Sequence, residues 1–222
     1  MNVYDIVERL PSIGVLHARC LALAVLERIV GSSEPYYSFT RTWGPDEAAL
    51  MSNGSGDEWA IVFTDGGAFI RIFDHESAMS PYRDPDHRLW PRLLDGLPEM
   101  LRPFVDEPAF SDGDGNFLAT AALWRLDDDD RWCAGDGIDF PEPGLYSASP
   151  DGTDLLEILV DDVADRYAAF ASDYYEVEVD RMAIEHVVGG SPLTEATVRA
   201  LNPAGSVAEL LAGISALGYP VG

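Results

Sequence analysis

"NGSGDEWAIVFTDGGAFIRIFDHESAMSPY", from Asn53 to Tyr82, decides the fold. Asp65-Gly66 sits between two apolar runs, and both positions of a two-residue hairpin turn must tolerate positive φ, which Asp and Gly do. Pairing Thr64 with Gly67 sets Phe63 opposite Ala68, Ile61 opposite Ile70 and Trp59 opposite Ile72. Directly opposed residues share a face, so these six make one apolar surface. A turn at Gly66-Gly67 instead shifts the pairing by two and keeps the same faces together. The other face carries Glu58, Ala60, Val62, Phe69, Arg71 and Phe73. That mixed set calls for cover by the N-terminal helix or by a partner.

The flanking segments supply the rest of the architecture. Ser12 can cap a helix in which Ile13, Leu16, Cys20, Leu23 and Val30 recur at helical spacing, and Gly31, Ser32 and Ser33 end it. "YYSFTRTW" reads as a strand from its aromatic and β-branched residues. Asp84-Pro85 signals a helix start, and "HRLWPRLLDGLPEMLRPFV" reads as two helical pieces broken at Pro91 and Pro98. "NFLATAALWRL" is a further strand, and Asp127 to Asp130 form a solvated turn after it. Asp136 to Gly152, rich in Asp, Gly and Pro, is a long loop or a sheet margin.

Beyond it, Leu156, Leu159, Val160, Val163, Tyr167 and Phe170 follow one helical stripe. "TEATVRALN" is a shorter helix. The last helix opens at Ser206 with Glu209, carries Val207, Leu210, Leu211, Ile214 and Leu217 on one side, and closes at Gly218 and Pro220. Strands followed by helices define an α+β class: an antiparallel sheet, an N-terminal helix and a helical C-terminal subregion from about residue 150. The expected organisation is one domain over residues 1–222.

Composition restricts the chemistry. The chain has 39 acidic residues against 14 basic ones, a net charge of −25, and every base is arginine. Such a field repels nucleic acid and anionic membranes and attracts a basic protein. Without lysine there is no side-chain Schiff base, no phosphate-loop lysine and no kinase strand lysine. No apolar run is long enough to span a bilayer, and the acidic start lacks a basic leader region, so a cytoplasmic location is expected. Cys20 and Cys133 are too few for a disulfide framework.

Three constellations are candidate sites. His75 and Glu76, followed by Asp84, Asp86 and His87, gather imidazoles and carboxylates that suit a divalent metal or acid–base catalysis, although no metal-signature spacing is present. His75, Glu76 and His87 are the catalytic candidates, and all five residues are the metal candidates. No cofactor is predicted, a divalent metal on this cluster being the alternative. "DGDGN" (Asp112 to Asn116) resembles the start of a calcium loop, but Phe117 and Leu123 occupy positions that need Gly and Glu, so it reads as a turn. Arg131 beside Cys133 could lower its thiol pKa. The third constellation is partner-binding: Asp127, Asp128, Asp129 and Asp130, then Asp173, Tyr174, Tyr175, Glu176 and Glu178, where acids surround aromatics.

The core "NGSGDEWAIVF…GAFIRIFDHESAMSPY", preceded by "YYSF" and followed by an acidic helical tail, resembles a group of uncharacterised acidic bacterial proteins, a likeness that carries no catalytic residues with it. In size and acidity the chain is also similar to immunity proteins that neutralise bacterial toxins, by analogy only. The expected function is an acidic, cytoplasmic protein-binding domain, an immunity-type inhibitor of a basic toxin being one form of it. The alternatives are a metal-assisted hydrolase and a DNA-mimic regulator.

Overall fold

A computed structural model describes residues 1–31, 34–142 and 149–222. The expected helix stop at Ser32 and Ser33, and residues 143–148 of the expected long loop, lie outside the described residues. Six strands, β1 (Tyr37–Trp43), β2 (Asp46–Ser52), β3 (Glu58–Thr64), β4 (Gly67–Phe73), β5 (Ala121–Leu126) and β6 (Cys133–Ala134), form an antiparallel sheet in chain order. The helices are α1 (Val3–Val7), α2 (Ile13–Val30), α3 (Val163–Tyr175), α4 (Arg181–Val188), α5 (Glu195–Leu201) and α6 (Val207–Leu217). The fold is α+β, as expected. No helix among the described residues is long and apolar enough to cross a membrane.

The β3–β4 register is the one read from the turn: Thr64 opposes Gly67, Ile61 opposes Ile70 and Trp59 opposes Ile72. Gly67 has φ +154°, and a Cβ there would run into the Arg125 carbonyl of β5, so only glycine fits. Apart from the partly exposed Glu58, the mixed face is buried as well, and the chain between β4 and β5 packs on it. Phe104 stacks on Phe69 at 5.8 Å, and the Arg71 guanidinium lies 5.7 Å from the centre of the Phe110 ring. Phe104 belongs to a 3₁₀-helix at Glu99–Asp106 with Pro103 inside it. The helix expected before Pro98 is a series of turns. Each proline removes a backbone donor, and the tighter 3₁₀ pattern is what survives in short pieces.

Three elements, β2, β6 and α1, went unread in the sequence. β2, "DEAALMS", is built from poor strand formers. α1 is a five-residue turn of helix held by an Asn2–Asp5 capping box and by Val3 N–H donating to Asp151 Oδ2 at 2.7 Å. α4 is capped by Asp180, whose carboxylate accepts from Met182 and Ala183 N–H. The stripe from Leu156 to Phe170 is broken: a 3₁₀-helix spans Thr153–Leu159, Asp162 turns left-handed at φ 44°, and α3 starts at Val163. Leu156, Leu159, Val160, Val163 and Tyr167 are still buried, so the hydrophobic pattern is satisfied by two elements instead of one. In α6, Ile214 and Leu217 are buried as expected, while Leu211 is exposed.

Two compact units result, one from Met1–Ile13 with Leu50–Glu157, the other from Gly14–Ala49 with Ile158–Gly222. The first has its core around Trp59, Ile61, Phe69, Ile70, Leu101 and Trp132. Indole N–H groups tie it to backbone: Trp59 donates to the Leu155 carbonyl and Trp132 to that of Pro11. The second buries Leu23, Leu26, Tyr167, Ile184, Val187 and Val198.

Candidate functional sites

The end of the β3–β4 hairpin opens into a cleft of about 600 Å³ lined by Gly56, Glu58, Phe73, His75, Glu76, Tyr82, Arg83 and Leu118. Asp57, at the close of the β2–β3 loop, organises one wall. Its Oδ1 accepts the His75 backbone N–H at 3.0 Å and pairs with the His75 ring Nδ1 at 2.6 Å. Its Oδ2 accepts from Asn53 Nδ2 at 2.7 Å. Partial burial works against the Asp57 charge, but the bonds from His75 and Asn53 outweigh it and hold the carboxyl below its usual range. Gly56, at φ +112°, lies close beside the imidazole, and a Cβ there would come to 3.2 Å from the ring. The ring is therefore fixed in position. Its Nε2 stands 3.8 Å from Glu76 Oε1.

Beneath the cleft lies Arg71, with a side chain 2% exposed. Its Nη1 pairs with Glu58 Oε1 at 3.0 Å and its Nε donates to the Leu118 carbonyl. Its Nη2 is buried and has no hydrogen-bond partner among the described residues. Burial lowers the guanidinium pKa and Glu58 offsets part of that. Above it, Tyr82 meets the Phe73 ring edge-on at 5.6 Å and the His87 ring at 5.2 Å. Arg83 donates to the Glu76 carbonyl at 3.1 Å.

The five metal candidates do not converge. His75 and Glu76 share the cleft, and His87 reaches its rim through Tyr82. The His87 Nδ1 pairs with Asp112 Oδ2 at 2.7 Å, and Asp84 and Asp86 pair with Arg88. Asp112 Oδ1 accepts from the Asp114 and Asn116 backbone, so "DGDGN" is a side-chain-closed turn, as read. Hydrogen bonds from Asn116 and His87 hold the Asp112 carboxyl far below its usual range. The residues that do join His75 are Asp57 and Asp74. Neither cysteine is activated: burial raises both thiols, and at Cys133 Asp129 adds to burial while Arg131 offsets only part.

The acidic runs part company in the second site. Asp127, Asp128 and Asp130 are exposed on the β5–β6 turn, while Asp129 Oδ2 accepts the Leu126 N–H at 2.9 Å and closes that turn. At the end of α3, Asp173, Tyr174, Glu176, Val177 and Glu178 are exposed, and Met182 follows at the start of α4. Tyr175 turns inward. Its hydroxyl donates to Glu27 Oε2 at 2.6 Å, while Tyr167 donates to Oε1 at 3.0 Å. The backbone N–H groups of Tyr36 and Tyr37 also donate to Oε2. Glu27 is 1% exposed, and burial raises its pKa despite these four donors. Around it Tyr36, Tyr37, Phe170, Tyr174 and Tyr175 pack ring to ring, with Tyr174 stacked on Phe170 at 5.4 Å.

Asp57, Arg71 and Glu27 were missed as site residues in the sequence. Glu27 alone had a local signal, a carboxylate inside the helix whose middle is apolar nearly all round. No family model, curated protein or solved structure matches the chain.

Proposed function

We propose that this chain is a binding protein for a basic protein partner, an immunity-type inhibitor of a basic toxin being the form of that activity its size and charge suit. The observation that carries the reading is the α3–α4 connection. Within nine residues of sequence it exposes Tyr174 (51%), Val177 (37%) and Met182 (70%) among the carboxylates of Asp173, Glu176 and Glu178. Apolar and aromatic side chains at the centre of an acidic rim supply contact energy, and the rim supplies steering and selection for positive charge. Glu176 supports the same reading. It holds a left-handed conformation at φ 57°, where glycine is favoured, at a cost on the order of 1 kcal/mol. The anchoring of Tyr175 on Glu27 fixes the end of the helix that presents Tyr174 and Glu176.

A DNA mimic shares the acidity but has no use for an apolar centre, so this face favours a protein partner. The test is affinity capture from the native cell at low salt, with wild type beside a Tyr174→Ala/Met182→Ala variant. The reading expects a basic protein retained by wild type, released by salt and lost from the variant. Recovery of nothing basic, or equal recovery on both baits, would sink it.

A further inference from the structure

We propose that His75 and Glu76 form a divalent transition-metal site in the cleft of the first unit, with Asp57 acting behind the imidazole as its orienting partner. This stands apart from partner binding and rests on different residues.

The geometry begins with the tautomer. Asp57 Oδ1 sits 2.6 Å from the ring Nδ1, an arrangement that keeps the proton on that nitrogen and leaves the lone pair on Nε2. Metal-bound histidines are held in the same way, the far nitrogen donating to a carboxylate that fixes the ring and raises its basicity. Among the described residues Nε2 makes no hydrogen bond, and the Glu76 Oε1 oxygen stands 3.8 Å from it. Two donors on a tetrahedral zinc at its usual bond lengths stand about 3.3 Å apart. Glu76 is half exposed, so a side-chain adjustment of about half an ångström closes the difference.

A second donor set is close at hand and fits less well. Asp57, Asp74 and His75 each offer a ligand atom within 4.8 Å of the others. Their oxygens, however, are already engaged. Asp74 Oδ1 accepts the N–H groups of Glu76 and Ser77, and both Asp57 oxygens hold His75 and Asn53. A metal there would displace the bonds that shape the loop, whereas one on Nε2 displaces none. The two aspartates build the frame and the imidazole faces outward as donor.

Two protein donors leave the remaining coordination positions to water or to a polar ligand, and the cleft of about 600 Å³ gives that ligand room. An imidazole with a carboxylate suits zinc, nickel or copper better than magnesium or calcium. Arg83 on the same wall opposes a cation, which makes the site weaker than a closed structural one. Arg71 is offset by its pairing with Glu58.

The experiment is isothermal titration of the full chain with zinc chloride in a non-coordinating, chelator-free buffer. The variants are His75→Gln, Glu76→Gln and Asp57→Asn, with His186→Gln as a control far along the chain. One equivalent is expected to bind to wild type and to His186→Gln, and none to His75→Gln. Loss of the orienting carboxylate in Asp57→Asn is expected to weaken binding about 10- to 100-fold. Asp57 also ties the loop, so the exposed Glu76→Gln variant, expected at least about tenfold weaker, provides a check that leaves the fold untouched. Nitrogen-15 shifts of the His75 ring should move at Nε2 on zinc addition. No saturable binding to wild type, or equal binding to His75→Gln, overturns the proposal.

Discussion

The two acidic runs look alike in sequence and differ in what surrounds them. Asp127 to Asp130 cap a β-turn: one of the four closes it, and the other three face solvent. The stretch from Asp173 to Glu178 ends a helix whose last turn is pinned from below by a buried glutamate, and it carries exposed Tyr174 and Val177 between its carboxylates. Carboxylates at a turn are cheap to keep hydrated and say little about partners. Carboxylates that ring exposed aromatic surface, on an ordered support, are the ones able to give specific binding.

The support is the first thing to break. Glu27→Ala would leave two hydroxyls and two backbone N–H groups without their acceptor inside the second unit, and we expect a loss of roughly 3 kcal/mol or more in urea unfolding. Glu27→Gln keeps an acceptor and should cost far less. The second effect in size falls on binding. Removing Tyr174 and Met182 together should weaken partner affinity by about 2 kcal/mol, roughly thirtyfold, by calorimetry.

The pH dependence sharpens the contrast between buried acids. The donors to Glu27 among the described residues are neutral, and burial raises its folded pKa above the ordinary 4.5. Its favourable contribution is full below that value and is lost as pH rises through the folded pKa. Stability of Glu27→Gln relative to wild type should therefore grow as pH rises above 4.5. Asp57, paired with His75, behaves in the opposite sense. Its contribution is present above the ordinary 3.8 and is lost as pH falls through the lower folded value, so Asp57→Asn should approach wild type only in acid. Denaturant midpoints across pH check both. The smallest effect belongs to the turn. Asp127→Asn, Asp128→Asn and Asp130→Asn together should change stability by less than about 0.5 kcal/mol and slow association slightly at low salt.

Legibility in the sequence followed the range of the interactions. The β3–β4 register was readable because a two-residue turn and alternating apolar positions determine it locally. The α6 boundaries were readable for the same reason, since Ser206 and Gly218 cap them through neighbours. The Asp162 break was not, because the apolar stripe from Leu156 onward fits one helix or two, and tertiary packing chose two. β2 was hidden by its composition. At the cleft, His75 and Glu76 could be picked out as reactive types, but their frame comes from Asp57, eighteen residues away in chain number, and nothing local links the two. Glu27 and Tyr175 are 148 residues apart, so the sequence offered Tyr175 as an interface residue when its hydroxyl turns inward.

The most direct test of whether the α3–α4 face, and not acidity at large, is the binding surface is amide NMR mapping. The nitrogen-15-labelled chain would be titrated with an arginine- and leucine-rich peptide of about twelve residues near physiological salt, where the Debye length is about 8 Å. The account predicts saturable shifts concentrated from Tyr174 to Met182, with Asp127 to Asp130 nearly still. Equal shifts at both acidic runs, or none at the α3–α4 connection, would contradict it.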